Sequence, residues 1–590
     1  MDTGGAYTRP RGPGKEKSPD PEGLKESDAL LGGRVPAKPA SPSWSDRADR
    51  LFEWLDRPVH ASTLCLFRVL YSFVMFTQFT KWWNMFDHFQ GTAYTLPYPG
   101  VGWIKPVSPA VGNAMLLISV VASLFLCVGL LTRITAVVLY INFAIIFHHC
   151  HSYFNNHYVL MCHICFLAIF VNWNQWLSVD SILFFRQRPK NAPITIPFWN
   201  LLIFRLIFCV PYFFGGIAKL NSDWLFRAQP LKDWFTGGGP LLEAWWFPWF
   251  IAETGVMFDL VISFLLFYRP TRYLLGFPAA LVFNISNKFI FNIGVFPLAM
   301  ITSLVLFIPA HLPAAIVADA TGAPSPLLPP DASSKDEDSE MNEKNGGAKQ
   351  YRQKASGRRT VWYRRFVLLF FCSFVAFHAL YPLRHFVLYK SNPSWTEEGH
   401  IGAWHMKLRG KVGWLYFVTE ETNGTVLEFA PKVDMYLNSR QAKKVLTRAH
   451  PLIIYAERLK KFFDEAGRDL KSMRVKSCFS LNVNPAKELY ISTANLLDYI
   501  GKYETIGVTG VGRWIWAYAD APLCEQRRPQ TEVDEINTRS RAAYKELYAG
   551  AHVKDVVERD MWGNLRRRVI YEKIDEKGRH IRMPAYMWNT

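Results

Sequence analysis

Charge is what this chain has least of where it is richest in carbon. Of its 590 residues 50% are apolar and 20% charged, and residues 60–312 are dense in Phe, Leu, Ile, Val and Trp. Aromatic residues are almost missing from 1–50 and 318–360, which are built of Pro, Ser, Gly, Lys and Glu and cannot bury a core. Cysteine is sparse as well. Of nine, Cys65, Cys127, Cys150, Cys162, Cys165, Cys209 and Cys372 sit in apolar stretches, which leaves Cys478 and Cys524. That excludes a disulfide framework and allows one bridge at most in the polar remainder. No run of 7–15 apolar residues precedes a small-residue cleavage site near Met1, so the expectation is no cleaved signal peptide, with the first membrane helix directing insertion.

The net charge of +18 is of a size that suggests nucleic acid, but its placement does not. Lys and Arg crowd the polar tail, the linker and the ends of apolar segments. That distribution suits anionic lipid headgroups and the positive-inside rule. The expected partner is the lipid bilayer, with no nucleic acid.

What is present is a series of apolar runs near 60–80, 112–131, 134–149, 157–172, 199–219, 248–268, 273–290, 293–311 and 361–383, each read as crossing about 30 Å of hydrocarbon. The fold class expected is an α-helical polytopic membrane protein of about nine transmembrane helices with a C-terminal α+β extramembrane domain. Its parts are a disordered tail over 1–47, a membrane domain over 48–312, a disordered charged linker over 313–360, a ninth helix within 361–390 and the extramembrane domain over 391–590. WSDRADRLFEWLDRP, from Trp44, reads as an amphipathic helix on the membrane surface. Eight spans between two basic segments put both on the cytosolic side, and the ninth puts 391–590 on the other. Within that domain a helix is expected around Ser439–Ala466. Asn423-Gly424-Thr425 is a glycosylation tripeptide in accord with a lumenal position.

Four stretches can carry chemistry. In YFFGGIAKLNSDW, Tyr212 to Trp224, Lys219 ends an otherwise apolar span. Gly215 and Gly216 lie one helical turn before it, so that a flat ligand could approach the backbone beside the amine. Lys219 acts either as a base made neutral by burial or as an interfacial lysine paired with Asp223 at i+4. HHCHSYFNNHYVLMCH, His148 to His163, has the ligand types of a metal site, but membrane di-metal oxygenases need several such boxes. Interfacial histidines with one hydrogen-bonding His are the default, and no metal is expected. Arg68, Arg205, Glu253 and Asp259 lie inside spans and should face the bundle, paired with a charge or a backbone carbonyl. Glu253 and Asp259 are six apart, on different helix faces, and form no carboxylate pair. Last, SWTEEGHIGAWHMKLRGKVGW, Ser394 to Trp414, reads either as a membrane-seating belt of Trp395, Trp404 and Trp414 or as the cover of a substrate cleft.

Taken together these stretches resemble the vitamin K-dependent gamma-carboxylase family, whose membrane part is shared with horizontally transferred transmembrane (HTTM) proteins. The likeness runs from about Trp54 to Asp498: WLDRPVHASTLCLFRVLYSF, CVGLLTR, NNH at Asn155–His157, SVD, PFWN, Arg205, YFFGGIAKLNSDW, FNIGVFP, WTEEGHIGAWHMKLRGKVG and YLNSRQAKKVLTRAHPLIIYAERL. The resemblance implies that Lys219 takes a proton from vitamin K hydroquinone. Oxygen then yields the epoxide by way of a strong base, which removes a γ-proton from glutamate, and the carbanion captures CO2. Asn156 and His157 fall in the matching NNH, with His157 orienting the carboxylation half. Arg205 and Asp223 are supporting charges, and Trp404 and Arg409 adjoin quinol or substrate. Asn284 departs from the pattern, standing where animal members have a histidine, and an amide cannot do an imidazole's acid–base work.

The function expected is therefore a gamma-glutamyl carboxylase-like membrane enzyme, in the endoplasmic reticulum if the source is eukaryotic. Its cofactor is vitamin K hydroquinone, O2 and CO2 are co-substrates, and a glutamate-containing protein or peptide is the acceptor. The competing readings are a quinol epoxidase without protein carboxylation, and a lipid- or anion-binding membrane protein with helices broken at Pro211 and Pro248.

Overall fold

The computed structural model describes residues 43–83, 85–86, 96–98, 100–104, 107–184, 193–291, 293–324, 361–389, 391–502, 514–525 and 528–551, and the backbone of three strands beyond. Most of the expected tail, and the linker from 325 to 360, lie outside the described residues. The chain divides into two compact units, 1–51 and 52–590. The described part of the first is the opening of helix α1 (Trp44–Asp56), the amphipathic segment expected there, with Trp44 exposed.

The second unit holds a helical membrane part: α2 (Ser62–Lys81), α3 (Pro109–Val128), α4 (Thr132–His148), α5 (Asn156–Ala168), α6 (Phe198–Lys219), the short α7 (Ser222–Arg227), α8 (Phe247–Phe267), α9 (Phe277–Ile290), α10 (Phe296–Ser303), α11 (Leu312–Thr321) and α12 (Val361–Leu380). By length and composition six helices among the described residues can cross a membrane, or seven if one bent pair counts as a span. The expected nine straight spans are corrected in three places. At about 1.5 Å per residue α4 and α5 cover ~26 Å and ~20 Å, less than the ~30 Å of hydrocarbon. The run at 293–311 is no single helix, because α10 and its 3-10 extension turn by 83° into α11. The turn falls at Ile308, whose backbone is extended (ψ 166°) before Pro309, as the residue ahead of a proline prefers. Residues 312–321 are helical, so the linker does not begin at 313.

A fully buried arginine ties the first spans together. Arg68 of α2 donates to the carbonyls of Trp173 (3.0 Å), Leu126 (2.5 Å), Cys127 (2.8 Å) and Leu177. All four are backbone carbonyls, which meets the requirement set for a charge inside a span. Helices α6 and α8 pack closely for a different reason. A Cβ on Gly216 would lie 2.8 Å from Leu260 Cδ2 and 3.0 Å from its backbone nitrogen. The glycine is therefore a contact surface that lets one backbone rest on its neighbour.

Beside the helices β1 (Pro58–His60) pairs with β2 (Thr195–Pro197), and the extramembrane part pairs β4 (Val426–Phe429), β3 (Lys411–Glu421) and β5 (Leu470–Leu481) in that order, all antiparallel. Against the sheet lie α13 (Ser439–Thr447), α14 (Ala449–Glu465) and α15 (Gln530–Gly550). A backbone sheet of β6 (Val553–Arg559), β7 (Leu565–Ile574) and β8 (His580–Pro584) follows. Cys478 and Cys524 form the one bridge the cysteine count allowed. The single helix expected over Ser439–Ala466 is two, broken where Arg448 is extended (φ −128°, ψ 132°).

Two outcomes test this packing, each read as the thermal midpoint of the full chain in detergent. Arg68→Leu strands four carbonyls and is expected to destabilise by about 3–5 kcal/mol. Gly216→Ala forces α6 off α8 and should cost about 1–3 kcal/mol. By contrast Gly255→Ala, where an added Cβ meets nothing within 4 Å, should be neutral or stabilising by up to about 1 kcal/mol.

Candidate functional site

Lys219 closes α6, at the helix end that favours a cation, and is 9% exposed. Its Nζ donates to Asp259 Oδ2 of α8 and stands 5.5 Å above the Trp224 ring. Asp259 is buried as expected, but Glu253 is exposed, which corrects the expectation that both face the bundle; six residues apart, they cannot share one helix face. The expected i+4 partner, Asp223, is engaged elsewhere. It accepts from Arg227 (3.0 Å), Asn482 (3.0 Å) and Asn484 (3.1 Å). The reason is local. Leu220 leaves the helical region (ψ 64°) and Asn221 caps a new helix by accepting from Trp224 N. Lys219 and Asp223 thus belong to different helices, and the i+4 geometry does not exist.

Around that pair the residues of the Tyr212–Trp224 stretch take definite places. A Cβ on Gly215 would lie 3.3 Å from Asp259 Oδ2 and 3.9 Å from the Trp404 carbonyl. Gly215 therefore faces the ion pair and the extramembrane segment, and Gly216 faces Leu260. Tyr212 meets Phe258 edge-on at 5.4 Å, and Phe258 stacks on Phe283 at 3.9 Å. Asn284 Nδ2 donates to the Tyr212 hydroxyl (2.7 Å) and to Ala280 O (2.8 Å). Arg205 is not part of this group. It precedes Lys219 by fourteen residues, ~21 Å along a helix, and donates to Leu306 O at 2.7 Å over the Phe307 ring.

The segment after α12 forms a second buried centre. Trp395 and Trp404 are buried, at 0% and 1% exposure. This corrects the interfacial-belt reading for both, and the Trp404 carbonyl lies beside Gly215. Asn156 Oδ1 accepts from Gly402 N at 3.0 Å, which ties the segment to α5. Beside it His157 stacks on Phe296 with ring centres 4.1 Å apart, and its Nδ1 has no hydrogen-bond partner among the described residues. Glu397, in the left-handed region (φ 59°), receives Arg448 (2.6 Å), Arg409 (3.2 Å) and Lys411 (3.8 Å). Burial alone would raise its carboxyl, but Arg409, Arg448 and Lys411 hold it well below the usual range. Its neighbour Glu398 lacks such cations and is pushed up to about 8 by burial. Burial likewise pushes Lys411 down to about 8. Arg409 also donates to His400 Nε2, and Arg448 to His151 Nε2 (3.1 Å).

The remaining histidines of the His148–His163 stretch go to separate partners. His148 meets Ala144 O (2.8 Å), His149 accepts from Val107 N (3.0 Å) and His163 pairs with His378 (3.2 Å). Among the described residues no three His, Cys, Asp or Glu side chains are placed to hold a metal ion. A cavity of about 410 Å³ is lined by Asn221, Asp223, Asn392, Trp395, Asn484 and Tyr518 among others.

Sequence reasoning missed Asp259 as the partner of Lys219, and Glu397, Arg448 and Asn482 as buried polar anchors. For Arg448 a signal existed, since it stands just ahead of a proline-bearing helix start in a stretch already singled out. For Asn482 the sequence carries none.

Two family models match the chain. That of the HTTM domain matches residues 56–311, and that of the vitamin K-dependent gamma-carboxylase lumenal domain matches 363–505. No solved structure matches. The first match ends after the bent pair begins to turn and contains the Lys219–Asp259 pair, and the second contains the Glu397 centre. Both halves of the site thus fall in matched segments of one chain, which belongs to the vitamin K-dependent gamma-carboxylase family.

Proposed function

We propose that the protein oxidises vitamin K hydroquinone to its epoxide with O2 and couples that oxidation to the carboxylation of glutamate with CO2. The observation that carries the reading is a lone amine, Lys219, sheltered where membrane helix and extramembrane segment meet. Its one buried counter-charge is Asp259. In this reading Asp259 holds the amine in place, and the amine is the group that accepts the proton of a quinol hydroxyl. The Trp224 ring beside the amine and the linked rings of Tyr212, Phe258 and Phe283 suit a flat apolar ring. When bound, the hydroquinone supplies electrons to O2 and the basic strength needed to remove a γ-proton. Exclusion of water by the buried segment around Trp404 protects that basicity.

The acceptor half rests on the Glu397 centre. Arg409, Arg448 and Lys411 share one carboxylate, so positive charge is in excess there and suits a glutamyl carboxylate. His157, with Nδ1 unengaged by the described residues, is the orienting group for carboxylation. Asn284 holds the Tyr212 hydroxyl and moves no proton. This amide favours a second reading, epoxidation without protein carboxylation. Glutamyl peptide supplied with labelled bicarbonate separates the two, because only the carboxylase fixes label.

In purified protein Lys219→Ala is expected to lower epoxide formation by about 10²–10⁴-fold, the usual worth of a positioned base. Lys219→Arg should be as inactive, since arginine keeps the charge but gives up no proton; near-native turnover in either would refute the assignment. For location, we place residues 391–590 in the lumen of the endoplasmic reticulum. Asn423 is exposed on the turn between β3 and β4, with Gly424 left-handed (φ 86°) and Thr425 N donating to Asn423 Oδ1 (2.8 Å). Expressed in eukaryotic cells, the chain should gain a glycosidase-sensitive gel shift that Asn423→Gln abolishes. A chain that migrates the same with and without glycosidase would contradict the lumenal placement.

A further inference from the structure

Backbone strain in this protein is concentrated. Eight non-glycine residues among those described have positive φ, and five of them, Glu397, Trp404, Lys407, Asn482 and Val483, lie in the segment 393–410 or in the loop that grips it. Val483 is β-branched, for which the left-handed region is sterically costly. Such conformations persist only where surrounding bonds over-determine them, and they gather at functional sites.

The grip is made by one side chain. Asn482 N donates to Gly410 O (2.8 Å), Gly410 N donates to Asn482 Oδ1 (2.8 Å), and Asn482 Nδ2 donates both to Leu408 O (3.1 Å) and to Asp223 Oδ2 (3.0 Å). Its backbone N–H and both ends of its amide are thus in use. Asp223 in turn sits at the head of α7, one turn of chain after Lys219. The other end of the segment is pinned by Gly402 N to Asn156 Oδ1, beside His157. Between the pins lie Trp404, whose carbonyl faces Gly215, and Lys407, whose Nζ stands 5.2 Å above the rings of both Trp234 and Phe291. The segment 402–410 is a strap drawn across the end of α6, with Asp223 as its buckle.

We infer that Asn482 is a positioning residue: its bond to Asp223 holds the 402–410 strap against the Lys219–Asp259 pair and couples the membrane half of the reaction to the acceptor half. The inference rests on the proposed carboxylase reading. Without the bond the strap keeps its Asn156 pin and lifts at the Gly410 end. Quinol oxidation then continues while its basic product meets water more often than a glutamyl γ-proton.

The test uses the full chain in proteoliposomes with hydroquinone, glutamyl peptide and labelled bicarbonate. Asn482→Asp keeps the shape and the tolerance for positive φ, but sets a carboxylate against Asp223 and removes both amide donors. It should raise the ratio of epoxide formed to label fixed by about tenfold, the worth of one hydrogen bond to a charged group. The exchange Asn482→Asp with Asp223→Asn restores a donor to the pair, from residue 223 to residue 482. It leaves the single carboxamide oxygen for Arg227 and Asn484 but does not restore the donor to Leu408 O, and should return the ratio part of the way to native. An unchanged ratio in the single variant, or a parallel fall of both rates that the exchange does not rescue, overturns the inference. Backbone hydrogen exchange over 402–410, measured on the same proteins in detergent, is independent of activity. It should quicken in the single variant and recover in part in the exchange, and unaltered exchange in both also overturns the clasp. Should the native protein form no epoxide, the carboxylase reading fails, and the exchange data alone decide whether the clasp exists.

Discussion

A cation inside an apolar bundle must find a carboxylate or backbone carbonyls within the protein, and at the candidate centre Lys219 meets that demand through Asp259. Such a pair loses its hydration on both sides and is maintained only if the geometry is close. Closeness comes from Gly216, whose missing side chain lets α6 rest on the backbone of Leu260, one residue beyond Asp259. A single absent methyl group therefore connects helix packing to electrostatics, and electrostatics to the chemistry proposed for the amine.

The same demand recurs outside the spans with the signs reversed. Glu397 is the buried anion, and three cations converge on it, Arg409 and Lys411 from its own stretch and Arg448 from the helical part of the domain. Arg448 reaches it because the helical run from Ser439 breaks at that residue. Adjacent Glu398, with no cation in reach, is held neutral by the same burial that Glu397 resists. Two neighbouring carboxyl groups thus take opposite protonation states at neutral pH, the kind of divergence that separates acid from base roles in one site. The segment that carries them also sets the Trp404 carbonyl beside Gly215, so the two buried centres share one stretch of backbone.

Much of the membrane part was legible because apolar runs and intramembrane charges obey simple rules. Arg68 needed carbonyls and has four; Glu253 and Asp259 needed different faces and occupy them. The cysteine count allowed one bridge, and Cys478 with Cys524 makes it. Hydropathy failed where length and apolarity do not specify straightness, at α4, at α5 and at the bend before Pro309. It also treated Trp395 and Trp404 as interfacial, since a buried and an interfacial tryptophan look alike in a sequence.

By itself, the order of residues determined that the chain belongs in a membrane, that its lysine at 219 is out of place there, and that its polar remainder forms a separate α+β part. It could do so because hydrophobicity and charge are local properties, summed along a window. Which carboxylate answers Lys219 was decided only in three dimensions. A turn at Leu220 and Asn221 carries Asp223 away toward Asn482, and helix packing brings in Asp259 from forty residues further on. Pairing depends on distance through space, and spacing in sequence measures that distance only while a helix continues.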